Sequence, residues 1–182
     1  MKFLVLLSFC FLFLAGYAQN AANEVFKKYA VGNSGCFLYM PGDPGEWKME
    51  KSEDGSEVYT GSVSANGLVF DAIVVSFAEP LAGVSIDDQV TMLISYIDFL
   101  KSNFGVESSA GYGKGHKLDG FENANGVIDY WQWADKTQAK IKGWINESNL
   151  AVLLVSGSDD PSNKSATEVF LNGFRFPNPT AN

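Results

Sequence analysis

The sequence is short of the residues that build most catalytic, metal and nucleic-acid sites. Its 182 residues contain one histidine, His116, and one arginine, Arg175. Lysine and arginine together number 13 against 21 acidic residues, so the net charge is −8. A nucleic-acid surface requires a basic stripe, and histidine-pair zinc sites require two histidines. We therefore predict no nucleic-acid partner, no metal and no cofactor.

Cysteine is equally scarce. Cys10 lies in the N-terminal apolar run, and Cys36 is the one cysteine of the remaining chain. A chain with a single mature cysteine cannot form an intramolecular disulfide. Because Cys36 stands between Gly35 and Phe37 at the start of an expected strand, we predict a small buried apolar residue. The alternative is a reactive or intermolecular thiol.

The N-terminal residues have the pattern of a secretory signal. Lys2 precedes an apolar run over residues 3–15, and small residues follow at positions 16 and 18. Such a run is shorter than the roughly 20 residues that span a bilayer. We predict a signal peptide over residues 1–18 and a single domain over residues 19–182. The protein is then secreted or periplasmic, with no transmembrane segment in the mature chain.

Residues 84–105 have the period of an amphipathic helix. Ser85 can cap its first turn, and Gly105 can end it in the left-handed conformation. We expect a buried face formed by Ile86, Val90, Leu93, Ile94, Ile97, Leu100 and Phe104. A second apolar strip, Met92, Tyr96 and Phe99, broadens that face. A helix this apolar requires a sheet to lie on.

The rest of the chain predicts that sheet. Strands are expected over residues 36–40, 47–51, 57–65, 68–78, 127–134, 138–146 and 149–156. Asn66 and Gly67 are typical of a hairpin turn, and the last three strands should form an antiparallel meander. Residues 20–29 are expected as a short helix or a frayed segment, and residues 107–126 as a glycine-rich passage with one irregular strand. A final helix, capped within residues 159–162, should turn Val169 and Phe170 inward. We predict an α+β fold with an antiparallel sheet, one long helix and a C-terminal helix.

The order of these elements resembles the Mog1/PsbP-like families. The likeness rests on a short strand ending in Met40-Pro41-Gly42-Asp43-Pro44, the hairpins, the long helix, the meander and the closing residues 172–176. It covers most of residues 36–177. It implies an αβ sandwich that acts as an interaction or accessory module through a partner. No functional residue is carried over, because no site motif matches.

Catalytic sets are sparse, but two hydrolase arrangements are open. A thiol and an imidazole need only meet in space, so Cys36 and His116 form one candidate dyad. Asp71 and Asp129, each in a strand, form a candidate acid–base pair. Residues 111–115 match neither nucleotide fingerprint, because no helix pattern follows, and we expect a surface loop there. Residues 159–163 fit a helix cap better than a calcium loop.

Aromatic residues give the candidate binding site. Tyr130, Trp131 and Trp133 lie in one expected strand, so the two indoles share a face and Tyr130 points to the other. Exposed indoles would form a platform for sugar rings or a partner. The alternative is that they pack beneath the long helix, together with Trp144.

From these observations we expect an exported, non-catalytic binding or accessory module that contacts a protein partner or a small ligand. The alternatives are a hydrolase and a glycan-binding module that uses the sheet tryptophans.

Overall fold

The computed structural model describes residues 25–157 and 163–177. In this part of the chain the strands are β1 Lys27–Ala30, β2 Phe37–Met40, β3 Lys48–Lys51, β4 Glu57–Ala65, β5 Leu68–Ser76, β6 Ser108–Ser109, β7 Gly113–Leu118, β8 Phe121–Gln132, β9 Gln138–Ile145 and β10 Asn149–Gly157. The helices are α1 Ile86–Asn103, between β5 and β6, and α2 Lys164–Asn172.

Eight of these strands form one antiparallel sheet. Its order is β3-β4-β5-β10-β9-β8-β6, and β7 pairs with β8 beside β6. The β4–β5 hairpin turns at Asn66 and Gly67 with φ of 49° and 75°, as a two-residue turn of this kind requires. The meander β8–β9–β10 is also confirmed. The predicted α+β fold, with a mostly antiparallel sheet and two helices, is correct.

The centre of the sheet is buried on both faces, as the side chains of the central strand β10 show. Alternate side chains of β10 belong to two separate apolar clusters, Leu150, Val152 and Leu154 on one face and Ala151, Leu153 and Val155 on the other. All six are buried. A strand covered on both sides reads as a continuous apolar run, which is why this segment of the sequence shows no alternation.

Helix α1 covers the first face, which we call the helix face. Ser85 accepts a hydrogen bond from the Asp88 amide at 3.2 Å, and Gly105 follows the helix with φ of 65°. The helix approaches β9 closely at Gly143, where a Cβ would lie 2.9 Å from the Leu93 and Ile97 methyl groups. Glycine at this position therefore sets the distance between α1 and the sheet.

The second face, which we call the closed face, is covered by the β1–β2 hairpin, α2 and the C-terminal segment. Phe70 and Phe170 meet edge to face at 5.3 Å, and Phe174 and Phe176 at 4.9 Å between ring centroids. The Trp144 indole N–H donates to the Leu171 carbonyl at 3.2 Å. These aromatic contacts form the hydrophobic core on this side of the sheet.

The structure corrects the predicted helix face. Leu93, Ile97 and Leu100 are buried as expected, and Ile94 is half-buried. Exposed instead are Ile86, Phe104, Met92 and Phe99. The buried stripe is narrower because only one side of α1 meets β8 and β9. Gln89, which the apolar pattern passed over, is buried and donates to the Val84 carbonyl at 3.1 Å.

Several element predictions were also wrong. Residues 27–30 form a strand instead of a helix, because they pair with β2. The passage 107–126 holds β6, β7 and the start of β8, which begins six residues earlier than expected. Val169 is exposed, although Phe170 is buried as predicted. The predicted signal peptide over residues 1–18 and the cap at residues 159–162 lie outside the described residues.

Over residues 25–157 and 163–177, no helix is both long enough and apolar enough to cross a bilayer.

Candidate binding groove

Helix α1 lies over β8 and β9 and leaves the β4–β5 side of the helix face uncovered. The uncovered area is a cavity of about 620 Å³, which we call the groove. Its floor is formed by Ile73, Val152 and Leu154, its wall by Leu100, Phe104, Trp131 and Trp133, and its polar side by Lys48, Thr60, Ser62 and Asp71. Pro44 and Glu46 lie at its rim.

The aromatic wall is held in place by hydrogen bonds. The Trp131 and Trp133 rings meet edge to face, with centroids 6.2 Å apart. The Trp133 indole N–H donates to the Phe104 carbonyl at 2.8 Å, and that of Trp131 donates to Asp129 Oδ2 at 2.9 Å. Because both indole N–H groups have partners, the half-buried Trp133 ring presents carbon atoms to the groove, and the buried Trp131 ring packs against it.

Asp129 is the buried anchor of this wall. It is 0% exposed and also accepts the Tyr130 amide at 2.8 Å. Lys101 Nζ lies 3.5 Å from its Oδ2. A buried carboxylate requires such partners. Asp129 therefore fixes the orientation of Trp131 from beneath the helix.

Lys101 links this anchor to the surface. It pairs with Asp98 at 2.8 Å, and the Tyr112 hydroxyl donates to Asp98 Oδ1 at 2.7 Å. Burial lowers the pKa of Lys101, but the hydrogen bonds with Asp98 and Tyr112 outweigh it, so the net pKa is raised. Burial raises the pKa of Tyr112 to about 12. Lys101 thus keeps its positive charge next to Asp129.

Asp71 supplies the acidic group of the groove. It stands opposite Ser62 in the β4–β5 register, with Leu154 of β10 on its other side. Burial raises the pKa of Asp71, and hydrogen bonding with Ser62 offsets this only in part. Desolvation by an apolar floor disfavours the ionised carboxylate. In the sequence, Asp71 is the one charged residue of the apolar segment 68–78, and this is the signal for the groove that the sequence offers.

The three predicted site residues are divided between the faces. Trp131 and Trp133 line the groove, whereas Tyr130 is 50% exposed on the closed-face side. Trp131 is 1% exposed and Trp144 is 0% exposed. Packing beneath the long helix is therefore confirmed for Trp131, which offers no free surface for a flat platform, but it was wrong for Trp144, which packs on the closed face. The role of the three residues in binding stays a prediction.

Tyr130 lines a second cavity, of about 750 Å³, between the sheet and α2. Two of its three charged lining residues, Lys140 and Glu168, form an ion pair with each other. The hydrogen bond from Lys140 lowers the pKa of Glu168. The groove, which is largely apolar with a few convergent polar groups, is closer to the usual character of a small-molecule site.

The proposed acid pair does not form. Asp71 stands opposite Leu154, Leu154 opposite Ile141, and Ile141 opposite Asp129. The two aspartates are therefore three strand spacings apart, which is about 14 Å. Glycosidase carboxyl groups are about 5 to 9.5 Å apart, so the pairing predicted for a hydrolase was wrong.

The Cys36 thiol and the His116 imidazole are in different electrostatic environments. Cys36 is 1% exposed, as predicted for an apolar role, and burial raises the pKa of its thiol to about 12. His116 lies in β7, where burial together with Lys142 and Lys140 lowers its pKa. A protonated buried thiol is a poor nucleophile. This arrangement argues against a Cys36–His116 dyad.

The glycine-rich passage is structured from Gly113 onward, because β7 pairs with β8. A strand instead of a surface loop occupies that part, and a second strand, not a helix, follows it. Asp159, Asp160 and Ser162 of the calcium alternative lie outside the described residues. Within the described ranges, no group of three or more His, Cys, Asp or Glu side chains is placed to hold a metal ion.

No protein-family model matches this chain, and no curated protein matches it either. The groove is therefore the basis for proposing a function.

Proposed function

We propose that this protein is an exported, non-catalytic binding module whose groove takes a small, largely apolar ligand. The observation that carries the proposal is the open half of the helix face. Sheet faces in small domains are normally covered, yet here apolar floor residues such as Ile73 and Leu154 line a cavity of about 620 Å³. Ligand sites for drug-sized molecules are about 300 to 1,000 Å³.

The groove also has the rigidity that binding favours. Its floor consists of paired strands, and its wall is held by the indole hydrogen bonds to Asp129 and the Phe104 carbonyl. A site that exists before the ligand arrives loses little entropy on binding. The carboxylates of Asp71 and Asp129 lie too far apart for joint acid–base chemistry. Binding without turnover is therefore the simpler use of this site.

The fold and location belong to the same proposal. The order of elements over residues 36–177 supports a Mog1/PsbP-like sandwich, and the apolar run over residues 3–15 supports export. Export is tested by sequencing the N-terminus of the protein recovered outside the cytoplasm. We expect it to begin at Gln19, and recovery of the uncleaved chain in the cytoplasm alone would contradict export.

The binding experiment uses a neutral probe, 2-(1-naphthyl)ethanol, followed by NMR of the tryptophan indole N–H groups. The chain has four tryptophans, and single Trp→Phe variants assign their signals. We expect the Trp131 and Trp133 signals to shift on titration, whereas the Trp144 signal stays in place because that ring lies on the closed face.

A substitution that fills the groove provides the second readout. Ser62→Trp places an indole among the polar lining residues and should abolish binding of the naphthyl alcohol. Ser64→Trp is the matched control, since Ser64 is an exposed residue of the same strand that does not line the groove. Binding of the naphthyl alcohol that survives Ser62→Trp would reject the proposed function.

A further inference from the structure

We infer that the groove selects an organic cation, an amine attached to an apolar body, by pairing its ammonium group with Asp71. This inference rests on the proposed function and names the ligand class. The juxtaposition behind it is one carboxylate beside an apolar floor and an aromatic wall.

Asp71 has no cationic partner within residues 25–157 and 163–177. Its polar partner is Ser62, and burial still raises the pKa of the carboxyl group. An ionised carboxylate that is partly removed from water is destabilised unless a positive charge or further donors compensate it. A ligand ammonium supplies both.

Asp129, a carboxylate with a structural role, has more partners than Asp71. Asp129, on the same face, has Lys101 at 3.5 Å together with the Trp131 indole N–H and the Tyr130 amide. Asp71 has no comparable set. Of the two carboxylates, the one without an ion-pair partner among the described residues, Asp71, is therefore the one that faces the cavity.

The aromatic wall and the overall charge favour the same ligand. Aromatic ring faces attract cations, and the accessible rings of the wall are the exposed Phe104 and the half-buried Trp133, which lie opposite the β4–β5 side. The charged lining residues are Glu46 and Asp71 against Lys48. With a net charge of −8 for the chain, the field of the protein attracts cations and repels anions. An apolar anion would meet two acidic groups and one lysine.

The experiment compares three probes of one shape, namely 2-(1-naphthyl)ethylamine, 2-(1-naphthyl)ethanol and 3-(1-naphthyl)propanoate. Affinities are measured by calorimetry near pH 7. Because a hydrogen bond to a charged group is worth about 1.5 to 3 kcal/mol, we expect the amine to bind at least about tenfold more tightly than the alcohol. The carboxylate should bind more weakly than both.

Asp71→Asn isolates the charge. In this variant the preference for the amine over the alcohol, expected to be at least about tenfold in the wild type, should disappear. Asp87→Asn is the matched control, because Asp87 lies exposed in the first turn of α1 and away from the groove. In the wild type, the affinity for the amine should also fall as the pH is lowered through the pKa of Asp71, whereas the affinity for the alcohol should not.

The outcomes separate this inference from the proposed function. Equal binding of amine and alcohol by the wild type, with both lost in Ser62→Trp, would overturn the inference and leave the groove as a site for neutral ligands. An amine preference that persists in Asp71→Asn would also overturn it. Failure of all three probes to bind would reject the proposed function and the inference together.

Discussion

The two faces of the eight-stranded sheet are covered in different ways. On the closed face, Phe70, Phe170, Phe174 and Phe176 are all fully buried beneath the β1–β2 hairpin, α2 and the C-terminal segment. On the helix face, α1 covers β8 and β9 and leaves a cavity over β4 and β5. The closed face has an aromatic core and a cavity beside α2 whose lining includes the Lys140–Glu168 ion pair, whereas the helix face has a largely apolar cavity with room for a ligand.

The two faces also differ in the partners of their charged side chains. The helix face contains Asp129, which is compensated by Lys101, and Asp71, which is not. The closed face contains Lys142, which is 8% exposed and reaches the Asn172 side-chain oxygen at 2.5 Å. Burial lowers the pKa of Lys142, although the charge of Glu168 opposes this. An uncompensated group beside open volume is the pattern expected of a site.

The largest expected effect is on the closed face. Phe70→Ala should lower the free energy of unfolding by about 3 to 5 kcal/mol, because it removes a buried aromatic ring and leaves a cavity. Ile73→Ala, on the same strand but facing the groove, should cost about 1 kcal/mol, because that side chain already borders open volume. Urea unfolding followed by circular dichroism measures both. Equal losses would show that the helix face is as tightly packed as the closed face.

The next effect tests the compensated carboxylate. Asp129→Ala should lower the free energy of unfolding by about 3 kcal/mol, because it leaves Lys101 and the Trp131 indole N–H without their buried acceptor. Asp98→Ala removes the exposed partner of the same lysine and should cost between about 0 and 1 kcal/mol. Chemical unfolding compares the two variants. A small loss in Asp129→Ala would contradict its role as the anchor of the wall.

A smaller effect, of opposite sign, is expected at the uncompensated carboxylate. Burial raises the folded-state pKa of Asp71 above 3.8, the ordinary value for an aspartate, so the native state binds this proton more tightly than the unfolded state does. Wild-type stability from this group is therefore lost as the pH rises through the folded-state pKa. Asp71→Asn should raise the free energy of unfolding near pH 7, and the gain should shrink toward pH 3.8. Thermal unfolding across this range is the measurement, and a destabilised variant near pH 7 would contradict it.

The smallest effect concerns reactivity on the closed face. In a Cys10→Ala background, Cys36 should resist a thiol reagent near pH 8 in the native protein and react fully in urea. Its burial raises the pKa of the thiol to about 12, and the reactive species is the thiolate. Mass spectrometry after timed labelling measures this. Rapid modification of the native protein would indicate that the closed face opens readily.

Local patterns predicted much of this fold. The helix from Ser85 to Gly105, the Asn66-Gly67 hairpin and the meander depend on capping, turn geometry and apolar runs, which neighbouring residues specify. The β1 strand was missed because residues 27–30 are extended only through their pairing with β2. Exposure of Met92 and Phe99 was missed for a related reason, since periodicity gives a helix face but not the width of its partner.

Only part of the candidate site could be predicted from the sequence. Alternation within a strand placed Trp131 and Trp133 on one face and Tyr130 on the other, and this is observed. The proximity of Asp71 to that indole wall was not predictable, because their strands are brought together through β10 and β9. The same register showed that Asp71 and Asp129 are too far apart to act as a pair.

The sequence alone determined the secondary structure of the long helix and the meander, the acidic charge and the scarcity of histidine and cysteine, because these follow from composition and from residues close together in the chain. Only the tertiary structure decided that α1 covers half of its face, that Trp131 is buried over Asp129, and that Asp71 is left facing an open cavity. These features depend on strand order and on the closeness of α1 to Gly143, which are set by contacts between residues far apart in the chain.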